Sequence, residues 1–541
     1  MSSGCVLFGS HSHWYAPAPY ETTVNFLAAD GEGSADALAA AESQYAVARE
    51  ADEAGNASCI DRYYAAAVQV WPAYVPVATT EERPAELYRA AVQGFIESAN
   101  KYGRFNRAAG VLLVNGQIVP VAFRGFVWRP EDFATFMPVG AYESSRLQNR
   151  YASAGVGVPY VVLTTNPPRY PFVRSSQPFA ATAVLGPTPA MGGRFTLQFY
   201  DPLRTTVSEG GAPIAKDLTA PLAYAASQEN DDWVVNFLRP GHDDTLDGLH
   251  MHEPFQPQKI PVVLIHGLAS DPLTWLQLEN DLRAQPAIFE RYQFWYFRYD
   301  TGGPFLGSAA RLRRELATIH QVYDPARCNP NMSRIVLIGH SMGGLVGQLQ
   351  VTYSGDTVWQ AAATQPFNTI LTDPATRAEL AAAFFFQPSP DVTRVVYIAT
   401  PHQGSSDATR FVGRLSSAMV EERPIAEARR EQLVRDNPDA FREEVRRRIP
   451  TSVDLLEPDS LILQSTQRLP YRQGVALNTI IGDYRWANSW GPSDGVVSIE
   501  SASLNGSQTE ATVDARHTGV LRNPETSREV SAILMWHAVG N

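Results

Sequence analysis

A serine set among glycines is the residue best equipped for chemistry. Gly339-His340-Ser341-Met342-Gly343-Gly344 follows the apolar run Ile335-Val336-Leu337-Ile338 and leads into Leu345-Val346. An apolar strand that turns at once into an apolar helix needs glycines around the turn, and the residue at its tip projects its side chain clear of the backbone. A serine held there can attack an acyl carbon if a base takes its proton. The N-terminus of the following helix faces the reacting carbonyl and favours the negative charge that develops on it. A bare Gly-x-Ser-x-Gly occurs by chance; the strand before it and the helix after it make this one specific.

Acyl transfer also needs two hydrogen-bond donors around the oxyanion. The turn His266-Gly267-Leu268, which ends the run Val262-Val263-Leu264-Ile265, can aim one backbone N–H, and the residue after the serine supplies the other. The expected donors are the amides of Leu268 and Met342; losing one such donor typically costs about 3 kcal/mol. His266 is read as stiffening its loop, not as a base.

Three histidines follow the serine: His402, His517 and His537. With the order serine, acid, base, His402 in Ala399-Thr400-Pro401-His402-Gln403-Gly404-Ser405 comes early, and His537 sits near the end of a final apolar helix. His517 lies between Ala511-Thr512-Val513-Asp514, the last strand, and a helix near 524–534. It suits the base best, with His402 as runner-up. The acid should follow the strand at Thr479–Ile481, where Asp483, Asp494 and Asp514 are candidates. Asp494 is favoured because its turn, Pro492-Ser493-Asp494-Gly495-Val496-Val497-Ser498, has room to hold a histidine tautomer from a fixed loop.

These pieces demand a scaffold. Beyond Gln258 short apolar strands without alternation (Val262–Ile265, Phe294–Phe297, Ile335–Ile338, Val395–Ile398, Thr479–Ile481) are separated by helical segments such as Ala309–His320 and Leu345–Tyr353. Strands covered by helices on both faces read this way, which predicts an α/β fold with a doubly wound, mostly parallel sheet over residues 258–541. A charged, Arg- and Glu-rich stretch from about 405 to 474, helical around Arg429–Arg448, interrupts the rhythm just after a strand end and is read as a cap or lid insertion. Aromatic runs at Phe294–Phe297 and Phe384–Phe386 are candidates for an apolar cleft, although such runs are more often core.

Residues 1–105 read as a helical region. Ser34 can cap a helix ending at Gly55, and Tyr64-Ala-Ala-Ala-Val-Gln69 is echoed by Tyr88-Arg-Ala-Ala-Val-Gln93. Two such units are too few for a solenoid, so an amphipathic helical layer is expected over a repeat array. Residues 106–257 form a β-rich accessory region, opening with a hairpin whose turn is Asn115-Gly116 and continuing through Tyr160–Leu163 and Phe195–Tyr200.

Residues 258–541 resemble the bacterial lipase and esterase branch of the α/β-hydrolases, including proteins similar to the eukaryotic GPI-inositol deacylases. The matching pieces are His266-Gly267-Leu268, Gly339-His340-Ser341-Met342-Gly343-Gly344, Thr400-Pro401-His402-Gln403-Gly404-Ser405, Ser493-Asp494-Gly495-Val496-Val497, and His517. The resemblance implies the triad Ser341, Asp494 and His517 and hydrolysis of carboxylic esters; a cap over an apolar cleft would suit lipids, or a polyester if the cap leaves it open. An acyltransferase would use the same triad; a peptidase or a binding module fits less well. No metal or cofactor is called for.

Composition sets the remaining bounds. A formal charge of −12 argues against a nucleic-acid partner, which requires a basic face. Cys5, Cys59 and Cys328 allow at most one disulfide. The opening Met1-Ser2-Ser3-Gly4-Cys5 resembles the end of a bacterial lipoprotein processing site, without the basic and apolar stretches of a leader. On that reading Cys5 carries lipid and tethers the protein to a membrane surface, or the protein is periplasmic or extracellular with its leader removed.

Overall fold

Alanine-rich, proline-punctuated sequence at the start of the chain gives helices, and the β-branched and aromatic runs that follow give strands. The structure, a computed structural model, describes residues 23–24, 35–142, 146–165, 169–174, 176–205, 207–208, 212–227, 247–268, 270, 272–301, 303–405, 424–447, 452–484 and 491–540. Cys5 lies outside these residues. Contacts divide the chain into one unit of Met1–Glu229 with His252–Gln256 and a second of Asn230–Met251 with Pro257–Asn541.

In the first unit, helices Ala35–Glu53, Cys59–Tyr74 and Arg83–Lys101 precede a seven-stranded sheet. The two echoing segments lie on the second and third of these helices. Its hairpin, Val111–Val114 to Gln117–Arg124, turns through Asn115 (φ 46°) and Gly116 (φ 72°), the left-handed pair that a tight hairpin requires. Tyr74 and Tyr88 stack at 3.9 Å, and their hydroxyls donate to Gly155 O and Leu185 O, so the helices and the sheet share one core. The thiol of Cys59 is free and buried in it.

The second unit is built on seven strands: β1 (Gly248–Met251), β2 (Ile260–Ile265), β3 (Tyr292–Arg298), β4 (Ile335–His340), β5 (Val392–Ile398), β6 (Ala476–Gly482) and β7 (Thr509–Val513). Their spatial order is β1-β3-β2-β4-β5-β6-β7. β1 is antiparallel to β3, and every other neighbouring pair is parallel. The edge strand β1 comes from the stretch that the sequence reading placed in the β-rich region.

Both faces of the sheet are covered. Val262, Leu264, Val336, Ile338, Val396 and Ile398 pack with residues of α1 (Leu276–Arg283) and α4 (Pro524–Ala538). The other face meets α3 (Met342–Gln348), whose Gly347 lies over Ile265 and Val395, beside α2 (Phe305–Tyr323). α3 stops at Gln348, earlier than the run to Tyr353 suggests, where the Thr352 hydroxyl bonds to Gln348 O in place of a continuing turn.

Within the expected insertion, residues 406–423 and 448–451 lie outside the described residues. The rest carries helices Pro424–Asp436 and Glu443–Arg447, broken at Asn437-Pro438, where proline ends the helical periodicity. Ala440, Phe441 and Leu433 share a separate core with Trp359, Phe367, Phe384 and Phe385 from between α3 and β5. Phe384 and Phe385 are thus spent on packing, as are Phe294–Phe297 inside β3. Among the described residues no helix is long and apolar enough to cross a membrane.

Candidate active site

Ser341 stands between β4 and α3 at φ 54° and ψ −127°, a conformation that a residue with a Cβ rarely adopts. The surrounding backbone enforces it. The Ser341 amide donates to Ile398 O of β5 at 2.9 Å, and the Gly344 amide donates back to Ser341 O at 2.9 Å. A Cβ on Gly343 would lie 2.2 Å from Ile265 O, and one on Gly344 would lie 2.0 Å from the Thr400 hydroxyl. Only glycine lets α3 start this close to the ends of β2 and β5.

His517 reaches the serine from the loop after β7. Its Nε2 is 2.9 Å from Ser341 Oγ, and its Nδ1 is 2.7 Å from Asp494 Oδ2. Asp494 lies in the loop after β6. Its Oδ1 accepts from the amides of Val496 (2.9 Å) and Val497 (2.7 Å), and its backbone carbonyl accepts the amide of His517 at 3.0 Å. Serine, histidine and aspartate are 6%, 4% and 2% exposed, so the hydrogen-bonded chain is shielded from bulk water and its electrostatics act at close to full strength.

The other candidates stand elsewhere. His402 lies at the end of β5 with its ring edge-on to Tyr397 at 4.7 Å, and neither ring nitrogen has a hydrogen-bond partner among the described residues. Burial pushes its pKa down to about 3. His537 bonds through Nδ1 to Tyr292 Oη (2.9 Å) and through Nε2 to Thr393 Oγ1 (3.0 Å). Asp483 follows β6 directly and its amide bonds to Val513 O, while Asp514 comes one residue after β7. Neither carboxylate is hydrogen-bonded to His517 among the described residues.

Met342 follows the serine directly, and Leu268 belongs to a turn that approaches it. Met342 opens α3, so its N–H has no acceptor inside the helix. Leu268 follows Gly267, whose Cα passes so close that a Cβ there would meet Ser341 Cβ at 2.9 Å. His266 stacks on Tyr299 at 4.5 Å, with Nδ1 3.1 Å from Gly267 O and Nε2 3.4 Å from the Tyr299 amide, which fixes the loop. Burial holds its pKa down at about 4, so it stays neutral there. Among the described residues no group of three or more His, Cys, Asp or Glu is placed to hold a metal ion.

Two contacts were not foreseen in the sequence. His340 donates from Nε2 to His517 O at 3.1 Å. The loop at 400–405 is stitched to the acid turn: the Ser405 hydroxyl donates to Val496 O, Ser501 Oγ donates to Gly404 O at 2.6 Å, and the His402 amide donates to Ser501 O at 2.9 Å. The segment Thr400–Ser405 was the available signal, but its partner lies nearly a hundred residues away.

A parallel-rich sheet with a serine on a strained strand-to-helix turn, and with an acid and a histidine after the last two strands, defines a hydrolase of the α/β class. Residues 262–515 match the Alpha/beta hydrolase family. No curated protein matches the sequence. Among solved structures, lipase BlEst2 of Bacillus licheniformis in its mature form is similar at 20% identity over 55% of this chain and 99% of that one, with a TM-score of 0.33. A metagenomic carboxyl esterase is similar at 16% identity over 52% and 77%, with a TM-score of 0.29. EstA from Clostridium botulinum is similar at 12% identity over 51% and 87%, with a TM-score of 0.34. Likenesses this distant bear on neither substrate nor mechanism.

Proposed function

We propose that this chain is a serine carboxylic-ester hydrolase in which Ser341 is the nucleophile, His517 the general base and acid, and Asp494 the residue that orients the base. One observation carries the reading: the continuous chain of hydrogen bonds from Ser341 Oγ through His517 to Asp494, at 2.9 and 2.7 Å. Ser341 Oγ attacks the ester carbonyl while its proton passes to His517 Nε2. The amides of Leu268 and Met342 take up the oxyanion. The tetrahedral intermediate collapses, the alcohol leaves with the proton from His517, and the serine is left acylated. Water then attacks the acyl carbon as His517 takes its proton, the acid departs, and the proton returns to Ser341.

The substrates proposed are esters of the lipid, small-ester or polyester kind. Transfer of the acyl group to an alcohol in place of water is the less favoured course. The test is labelling with a fluorophosphonate probe, together with hydrolysis of p-nitrophenyl esters from acetate to palmitate, with and without an acceptor alcohol. Wild type should label at Ser341 and release free acid, and Ser341→Ala should do neither. Wild-type turnover by Ser341→Ala overturns the reading.

A further inference from the structure

Every polar group of His517 is held. Its two ring nitrogens meet Ser341 and Asp494, its amide meets Asp494 O, and its backbone carbonyl accepts the Nε2–H of His340 at 3.1 Å. The two imidazoles lie 5.0 Å apart with 37° between their planes. A carbonyl can only accept, so His340 carries its proton on Nε2 and leaves Nδ1 bare. That nitrogen is buried, has no partner among the described residues, and faces the Cα of Gly267, where a Cβ would approach it to 3.1 Å. His340 is therefore wedged between the loop that holds the base and the loop that precedes Leu268.

We infer that His340 is a positioning residue for the base: its Nε2–H fixes the backbone of His517 and so fixes where the imidazole stands against Ser341. This rests on the ester-hydrolase reading and adds to it a fourth side chain. A hydrophobic residue of similar size would fill the same space, yet it would leave the His517 carbonyl buried and unbonded, and free to drift by the few tenths of an ångström that matter for proton transfer. Burial, with His517 and His266 close by, pushes the His340 pKa down to about 3, against which the hydrogen bond to His517 acts only in part. The residue thus stays neutral, and no second cation competes with the imidazolium that forms on His517 during turnover.

A matched pair of amides tests this. The amide nitrogen of glutamine falls near the position of histidine Nε2, and that of asparagine near Nδ1, so His340→Gln keeps the donor to His517 and His340→Asn loses it. With p-nitrophenyl butyrate, kcat of the Gln variant should stay within about threefold of wild type. That of the Asn variant should fall roughly tenfold or more, with KM within about twofold for both. If the Asn variant melts well below wild type, His340→Phe, which keeps a ring in the space, takes its place with the same expected loss. Equal kcat for the Gln variant and the donor-less variant overturns the inference. Failure of the ester-hydrolase reading is seen separately, as turnover that survives Ser341→Ala.

Discussion

Asp494 grips His517 at two points: its carboxylate meets Nδ1 at 2.7 Å, and its backbone carbonyl accepts the His517 amide at 3.0 Å. The second bond ties the loop after β7 to the loop after β6 independently of the side chains. The aspartate's other oxygen is fully used by the amides of Val496 and Val497, so the carboxylate has a single orientation.

Asp494→Asn should therefore fold normally and fail as a catalyst. The asparagine oxygen takes over the bonds from Val496 and Val497, which turns its NH2 group toward His517. Nδ1 must then accept, the proton moves to Nε2, and Nε2 can no longer take the proton of Ser341. Turnover is expected to fall on the order of 10⁴-fold with an unchanged melting temperature. Retention of a tenth of wild-type kcat in a folded variant contradicts the assigned orientation.

Ser405→Ala removes the hydroxyl that donates to Val496 O beside the acid. One neutral hydrogen bond is worth about 1 kcal/mol, so a loosened acid turn should lower kcat roughly three- to tenfold and leave KM unchanged. Steady-state kinetics decide it; a raised KM at constant kcat would place Ser405 against substrate instead.

Two neighbouring glycines of α3 should answer alanine in opposite ways. In Gly343→Ala the new methyl meets the carbonyls of Ile265 and His266 at 2.2 and 2.5 Å, backbone atoms that cannot move aside singly. The expected cost is about 3 kcal/mol or more, read as a drop in thermal stability or loss of soluble protein. In Gly347→Ala the nearest atoms are Val395 Cγ1 at 3.4 Å and Ile265 Cδ1 at 3.7 Å, and the helix gains about 1 kcal/mol of propensity. That variant should melt at or above wild type.

Buried histidines give the protein an acid limit. Burial lowers the pKa of His266 to about 4 and those of His340, His402 and His537 to about 3, against 6.5 in the unfolded chain. The unfolded state thus binds protons that the folded state refuses once the pH drops below about 6.5. Stability is fully present above that value and declines as the pH falls toward 4 and 3. Melting temperatures at pH 8, 6.5 and 5 should be nearly equal for the first pair and lower at the last. His402→Leu removes one of these groups, together with two ring nitrogens that have no partner among the described residues, and should flatten the decline by one proton; an unaltered slope contradicts the neutral buried assignment.

The residues of the candidate site could be picked out in the sequence because each sits where a strand stops, and strand ends are visible as the limits of apolar runs. Ser341, Asp494 and His517 follow β4, β6 and β7 in the order expected of the class. What escaped notice is non-local. Gly248–Met251 is a four-residue strand with a histidine in it, and only its pairing with Tyr292–Arg298 marks it as part of the sheet. The contact of His340 with His517 spans 177 residues, and nothing in the Gly-His-Ser-Met-Gly spacing encodes it. Likewise the cluster around Trp359 joins two separate stretches of chain, of which only Phe384–Phe386 stood out in the sequence, as a cleft candidate more often core.

If Ser341 is the nucleophile as proposed, the turn that carries it also dates the moment at which the protein becomes active. Its left-handed backbone is held by Ile398 O from one side, and Ile265 O and His266 O crowd Gly343 from the other, atoms more than fifty residues away in either direction. A nascent or partly refolded chain can contain the whole Gly-x-Ser-x-Gly segment and still present an ordinary serine. Reactivity toward a fluorophosphonate thus becomes a clock for sheet closure: during refolding, labelling should lag behind the recovery of helical signal and coincide with the docking of β5 against β4.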